Sequence, residues 1–509
     1  MTSNNYIGPT AGPTRHAVGP HPSSQRTVNV LLVGVGPHAQ RTYVPHLVKH
    51  ADRHHARLAA VVELEGCQLQ TEETLKKHAM DPERLYVDRF DRTVPDAVRE
   101  QLDGVIERNR INAVIISTEP LVHKAYLDYA LDSGLNVLID KPLTTRRGVA
   151  HDVDQARGIW DDYADTLKRY RGPQSSGRQT CLLVNSHRRY HPGFQKVFEL
   201  IAEVRNRTGC PVTSVTSEHC DGQWRLPAEI VSQDYHPYNQ GYGKVSHSGY
   251  HLLDMVNCFF VAGQVAGKVP DTVSLTSSFL LPAGFLKQVS REDYVRYFGE
   301  QYDQACVADD DELRSQMEQF GEIDATALVE FRQHKVVVTQ AKVSLQHNGF
   351  ARRTWLQPGN DLYKGAGRVR HERHRIDNGP FQTVYIESYQ AKDKHDMSDR
   401  MDFEMGGNNH FEILVFRNPG PHGSERPMEV IRLRDLRGAA DFDTSMLYNE
   451  QVKEACLLEF LQFARGELPL SQLRSNIDSH ALTVRMMSGI YQAHAERAAG
   501  GAGWVNVDL

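Results

Sequence analysis

The chain has no cysteine pair at C-x-x-C spacing, no apolar run of 18 residues and no excess of basic charge. Its cysteines are seven, an odd number scattered from Cys67 to Cys456. That excludes a disulfide framework and a cysteine-rich zinc site, and it points to a reducing, cytoplasmic setting. Without a long apolar run no transmembrane helix is expected. The 58 basic and 64 acidic residues leave a net charge of −6, so no general positive field exists to grip nucleic acid or anionic lipid. Residues 1–27 lack an apolar stretch and read as a disordered lead-in, not a secretory signal. What remains is a folded mix, 40% hydrophobic and 24% charged over 509 residues. At roughly 150 residues per domain that is two large domains or three smaller ones.

Order is expected from Val28. Val28–Val33 is β-branched and apolar with one polar member, the pattern of a strand covered on both faces. Leu58–Val62, Leu85–Val87, Ala113–Ser117 and Asn136–Ile139 read as further strands. Between the last two, Val122, Ala125, Tyr126, Tyr129 and Ala130 trace one apolar helix face, with Gly134 placed as its C′ glycine. Strands alternating with helices specify a doubly wound parallel α/β sheet of Rossmann type, assigned to 28–179. Thr180–Val184 adds a strand and Gly193–Arg205 a helix. Beyond Cys210 the strands Val212–Glu218, Thr272–Leu280, Ala325–Phe331, Lys335–Leu345, Gln382–Glu387 and Phe411–Phe416 have few long helices between them. Residues 180–509 therefore read as an α+β domain with a large, mostly antiparallel open sheet, closed by helices within 450–499. Asp309–Glu312 reads as a solvated helix start.

Gly34-x-Gly36-x-x-Ala39, with Pro37 and His38 inside it, follows a buried strand and opens a helix. The first glycine permits the tight turn, the second lets the backbone approach a pyrophosphate, and the small third residue allows close helix–strand packing. This context makes the motif a dinucleotide site. Glu63, 24 residues after Ala39, can accept both hydroxyls of a ribose and repel a 2′-phosphate. NAD is therefore expected, with NADP as the alternative. Glu65, at the same strand parity, competes for that role.

Three further patterns follow in order. Ser117-Thr118-Glu119-Pro120-x-x-His123 leads into the helix that ends at Gly134. Asp140-Lys141-Pro142 closes the next strand. Gly241-Tyr242-Gly243 leads to His247, His251 and Asp254. With Arg189-Tyr190-His191-Pro192, these resemble the Gfo/Idh/MocA oxidoreductases, named after glucose–fructose oxidoreductase and inositol dehydrogenase. The family carries Glu-Lys-Pro where this chain has Asp140-Lys141-Pro142, and often an aspartate where it has His247. The resemblance is close over 28–260 and looser over 320–345 and 450–509.

The resemblance implies an NAD(P)-dependent oxidoreductase acting at a secondary carbinol or ketone of a sugar, cyclitol or related polyol. It implies that Lys141 orients the substrate near the nicotinamide and that His251 is the general acid/base. A histidine titrating near neutrality suits that proton, and an ammonium stabilises negative charge on oxygen. His247 joins them as a candidate. Ser117, Thr118, Glu119, His123, Asp140 and Lys141 are expected beside the cofactor, and Arg189, Asp234 and His236 beside the substrate. Asp234 and His236 are possible stand-ins for the family aspartate. Residues of about 283–320 and 346–445 are extra to the family and are expected to shape substrate choice or contacts in a homodimer or homotetramer. Two alternatives stand: a redox-neutral epimerase or glycosidase that recycles its cofactor, and a non-catalytic cofactor-binding regulator.

Histidine pairs at metal spacing, His187/His191, His247/His251 and His371/His374, lack an evident third ligand. No metal is expected. His371 and His374, set among arginines, read as structural or solvated. Tyr385, Glu387 and Tyr389 alternate along one strand face and read as core or subunit interface.

Overall fold

The computed structural model describes residues 27–175, 179–353, 368–391, 403–422, 426–436 and 448–509. The lead-in before Thr27 and parts of the 346–445 insertion lie outside them.

The first sheet has six strands: β1 (Val28–Val33), β2 (Ala56–Leu64), β3 (Glu83–Val87), β4 (Ala113–Ile116), β5 (Asn136–Ile139) and β6 (Leu182–Val184). All run parallel, in the order β3-β2-β1-β4-β5-β6. Val30, Leu32, Val114, Ile116, Val137 and Ile139 are almost wholly buried, as a sheet covered on both faces requires. The crossovers are α1 (Pro37–His50), α2 (Gln68–Lys77), α3 (Asp96–Asn109), α4 (His123–Asp132) and α5 (Val153–Ser175). The order of strands reverses at β1 and β4, and ligands of open α/β sheets bind beyond the strand ends at such a reversal.

After α6 (Pro192–Thr208) comes a second sheet of nine strands. These are β7 (Ser214–Cys220), β8 (Thr272–Leu280), β9 (Asp324–Gln333), β10 (Val336–Gln346), β11 (Arg370–Asn378), β12 (Gln382–Gln390), β13 (Glu412–Arg417), β14 (Met428–Arg432) and β15 (Val505–Asp508). Their order is β14-β13-β12-β11-β7-β10-β9-β8-β15. Every pairing is antiparallel except β7 with β10. The helices of this part are α7 (Pro227–Val231), α8 (Tyr250–Ala262), α9 (Pro282–Gln288), α10 (Arg291–Phe298), α11 (Gln301–Ala305), α12 (Asp310–Gln316) and α13 (Pro419–His422), with α14 (Tyr448–Ala464) and α15 (Ala481–Ala498) towards the chain end. Phe194 of α6 and Phe259 of α8 set their rings against His374 of β11, 5.6 and 5.5 Å away, covering one face of the sheet.

β11 escapes detection in the sequence because its inward positions are Glu372, His374 and Ile376, not an apolar row. His374 is bonded instead: Ser217 Oγ lies 2.8 Å from Nδ1 and Glu372 Oε1 3.1 Å from Nε2. In β12 the core is supplied by Val384 and Ile386, and Tyr385, Glu387 and Tyr389 lie half-buried on the other face. The inserted helices α9–α12 build a small core of their own, in which Phe285, Tyr294, Tyr302, Leu313 and Met317 pack with Leu226, Ile230 and Tyr238. The acidic run starts α12, with the Asp309 carboxylate accepting from the amides of Asp311 and Glu312.

By contacts the chain forms two compact units, residues 1–145, 161–191 and 449–481 in one and 146–160, 192–448 and 482–509 in the other. The single boundary drawn at 179/180 thus gives way to several passages. α14 belongs with the first sheet, where Tyr190 donates from its hydroxyl to Glu459 at 2.7 Å.

Candidate active site

In the first unit, β1 runs into Gly34 at φ +89°, where a Cβ would lie 2.5 Å from the Ser117 carbonyl oxygen. Only glycine fits there. Gly36 differs: its φ is −68° and a Cβ would meet no protein atom within 4 Å. The chain's own packing does not need that glycine, whereas a ligand lying on the backbone does. Pro37 opens α1, no acid occupies the first turn and no side chain caps the end. Its orphan amides and positive dipole end are left to an anion. Ala39 is fully buried, as close helix–strand packing asks. These residues fit the pyrophosphate of a dinucleotide.

Glu63 lies inside β2, where Oε2 accepts from the Val35 amide at 2.6 Å and Oε1 from the Leu64 amide at 2.8 Å. The carboxylate therefore braces the glycine turn, with lone pairs left for a ribose diol. Glu65 has left the strand: it opens a short 3₁₀ turn, Glu65–Cys67, and is exposed. The parity argument for it lapses. Glu63→Ala is expected to weaken NAD binding by roughly 10–100-fold, the worth of one or two charge-assisted hydrogen bonds, and to shift preference towards NADP. Calorimetric titration with both cofactors measures this; an unchanged ratio would remove Glu63 from the ribose.

Asp140, at the end of β5, is the hub of the neighbouring strand ends. It accepts from Ser117 Oγ at 2.6 Å, Tyr43 Oη at 2.5 Å and Asn185 Nδ2 at 3.1 Å, and His38 Nε2 lies 3.4 Å away. Burial opposes its ionisation, but the His38 charge and these hydrogen bonds outweigh burial and hold it far below the usual carboxylate range. Tyr43 and Asn185 were not singled out from the sequence. One is an inward residue of α1 and the other follows β6, and nothing local marks either as a partner of Asp140. His123 is fully buried, with ring nitrogens 2.8 Å from the Pro142 carbonyl oxygen and 3.2 Å from that of Thr118. It ties two loops together, and burial lowers its pKa. Glu119 is exposed and accepts from the Leu121 amide. Lys141, half-buried, directly follows Asp140 in the chain, and its bond to Pro142 is cis.

Arg189, read as a substrate contact, instead holds the C-terminal segment of its own unit. It donates to the Arg474 carbonyl oxygen at 2.8 Å and to Ser479 Oγ and O at 2.5 and 3.1 Å.

In the second unit a π-helical turn, Val245–Gly249, leads directly into α8. The Gly249 amide reaches the Lys244 carbonyl five residues back, at 2.9 Å. Such turns mark functional sites with some regularity. The turn carries His247, and the first turn of α8 carries His251; both are buried. His247 is ringed by His236, Tyr238 and Tyr242, with ring centroids 4.8, 5.2 and 5.5 Å away. His236, at φ +51°, is thus brought onto His247, whereas Asp234 on the same loop is exposed. Asp254 is buried and accepts from Thr483 Oγ1 at 3.0 Å.

The ring around His247 continues into a buried charged group. Lys244 pairs with Asp221, and Arg368 Nη2 lies 3.6 Å from that carboxylate. Burial alone would raise Asp221, but the neighbouring charges, Lys244 first and Arg368 among them, hold it well below its ordinary value. Burial pushes His347 down to about 3, with Lys244 helping and Asp221 opposing, so it is neutral at pH 7. Glu322, fully buried beneath the turn, accepts from the Val245 amide at 2.7 Å and Tyr491 Oη at 2.8 Å. Burial still pushes it up to about 7, from an ordinary 4.5. Between those values the native protein binds more protons than the unfolded chain, so stability falls as pH rises through that window. Melting temperature should drop across it, and Glu322→Gln should flatten the slope in thermal scans. An unaltered slope would place the titration elsewhere.

Residues 28–162 match the Gfo/Idh/MocA family model, described as an oxidoreductase family with an NAD-binding Rossmann fold. The nucleotide-binding unit belongs to the Gfo/Idh/MocA oxidoreductases. That unit is accordingly the NAD-binding part of an oxidoreductase. No curated protein matches the chain. Among solved structures it is similar to levoglucosan dehydrogenase in complex with NADH, at TM-score 0.55 and 12% identity over 95% of this chain and 99% of that one. It is also similar to an Agrobacterium radiobacter oxidoreductase in complex with NAD+, L-tartaric acid and magnesium (0.53, 13%, 95% and 98%). A third is the aldose–aldose oxidoreductase of Caulobacter crescentus complexed with glycerol (0.52, 15%, 95% and 100%). At such identities the likeness is one of fold.

Proposed function

We propose that this oxidoreductase transfers a hydride at a secondary carbinol or ketone of a sugar, cyclitol or related polyol. The observation that carries the reading is the π-helical turn. It sets His247 in a ring of His236, Tyr238 and Tyr242, side chains that bond hydroxyl groups, and His251 follows one turn later. Two of the similar structures act on sugars by name, levoglucosan dehydrogenase and the aldose–aldose oxidoreductase, which supports it further. Tyr238 also belongs to the core of the inserted helices, so the insertion reaches the ring and has the means to tune substrate choice.

NAD, which the glycine turn and Glu63 would hold, would supply the acceptor or donor of the hydride. The carbinol must then also lose its hydroxyl proton, and His251 accepts it. The resemblance to the family assigns to the Lys141 ammonium the stabilisation of negative charge on a substrate oxygen. His247 orients or charges His251 in place of the family aspartate, with His236 against it. The glycine turn and Glu63 hold the nucleotide, and Asp140 holds the loop that presents Lys141.

In keeping with a homo-oligomer, the outer face of β12–β14 shows Tyr385, Phe416, Met428 and Val430, an apolar surface suited to a second copy. A cytoplasmic setting accords with seven free cysteines.

A panel of neutral sugars, cyclitols, uronic acids and their keto forms tests the function, scored by absorbance of reduced cofactor and by mass spectrometry of product. A rearranged product without net reduced cofactor would move the reading to the redox-neutral alternative. Bound NAD that no polyol reduces would leave the regulator.

A further inference from the structure

We propose that His46 and His50 of α1, with Glu454 of α14, form a binding site for one transition-metal dication, zinc(II) being the occupant that fits best. His46 and His50 are spaced i, i+4 in the sequence, and the third ligand lies 404 positions beyond His50, so spacing alone does not reveal the set.

His46 and His50, four residues apart, share one face of α1. Glu454 meets them from α14, and all three residues are buried. One potential ligand atom from each lies within 4.8 Å of the others. A tetrahedral zinc with bonds of about 2.0–2.1 Å spaces its ligands roughly 3.4 Å apart, so small side-chain rotations suffice. Two imidazoles and a carboxylate suit zinc and its neighbours, not the oxygen-seeking magnesium or calcium.

The carboxylate draws every nearby cationic group. His50 Nε2 is in close contact with it, His46 Nδ1 is 3.3 Å away and Lys49 Nζ 3.0 Å away. Burial opposes ionisation of Glu454, but these neighbouring cationic groups outweigh it and hold the carboxyl far below the carboxylate range. Yet the His46 ring, 1% exposed, makes no hydrogen bond of proper geometry at either nitrogen. A buried ring left so is costly, and a metal–nitrogen bond would remove that cost. His54, one further turn along and also buried, sets its ring 5.6 Å from that of His50, and its Nδ1 has no hydrogen-bond partner. It or a water supplies the fourth ligand. Lys49 is the competitor; its side chain is 46% exposed, so it can swing into solvent. His46 lies ten residues along α1 from Gly36, roughly 15 Å at 1.5 Å per residue. The metal would therefore fasten α14 to the nucleotide-binding helix and take no part in hydride transfer.

Full-length protein stripped with chelator is titrated with Zn²⁺ by calorimetry and with Co²⁺ by visible absorption. The expectation is one metal per chain, intense tetrahedral Co²⁺ bands and a higher melting temperature. Glu454→Gln and His50→Gln should abolish all three. Lys49→Met lies at the surface and leaves folding intact; by removing a competing charge it should tighten binding roughly tenfold. No stoichiometric uptake would overturn the site. So would Co²⁺ bands that persist in Glu454→Gln, or, if that variant fails to fold, metal affinity unchanged in Lys49→Met.

Discussion

His251→Ala is expected to lower kcat by roughly 10²–10⁴-fold, the usual worth of a positioned general acid/base, with NAD affinity nearly intact. Oxidation of a carbinol releases a proton from oxygen as the hydride leaves carbon, and without an acceptor the alkoxide must form unaided. Lys141→Met should do comparable damage, because a neutral side chain of similar length cannot stabilise that oxygen. His247→Ala separates two roles. A mild loss means that His247 only orients; a loss like that of His251→Ala means that it has replaced the family aspartate in the proton path. Steady-state kinetics on the substrate found by the panel, with calorimetry for NAD, measure all three. A His251→Ala enzyme with wild-type turnover would falsify the assignment and direct attention to His236 and His247.

Gly36→Val is expected to abolish NAD binding while the protein stays folded, whereas Gly34→Ala is expected to harm the fold itself. The two glycines sit two residues apart and fail for different reasons. At Gly36 the backbone is extended and a Cβ meets no protein atom within 4 Å, so valine disturbs only what lies on the turn. At Gly34 the φ of +89° and a Cβ 2.5 Å from the Ser117 carbonyl oxygen force β1 and β4 apart. Together these should cost about 1–3 kcal/mol or more. Thermal melts with and without NAD distinguish them: Gly36→Val should keep its melting temperature and lose the NAD-induced rise, and Gly34→Ala should melt lower in both. NAD affinity retained in Gly36→Val would place the cofactor elsewhere.

The nucleotide-binding unit was legible because its signals are local. A buried strand shows as an unbroken apolar run in Val28–Val33, a helix face as a 3.6-residue period in Val122–Ala130, and the turn between strand and helix as glycines at set intervals. The second sheet was legible where strands alternate, as in β8 to β10. It was not legible in β11, where charged pairs and His374 bonded to Ser217 replace an apolar row. The insertion hid its helices because each is too short to show a period.

Among site residues, those carried by a motif were named from the sequence: Gly34, Gly36, Glu63, Asp140, Lys141, His247 and His251. The sequence alone determined that a parallel dinucleotide-binding sheet comes before the larger mixed one, since that rests on order and spacing along the chain, and its motifs carried the resemblance that implied NAD oxidoreductase chemistry. Only the tertiary structure decided that Asp140 gathers Tyr43 and Asn185, that Arg189 holds the C-terminal segment, and that His46 and His50 face Glu454. Each of these depends on groups from distant segments meeting in a buried place. There, the loss of water makes a partner obligatory, and no spacing along the chain records which partner it will be.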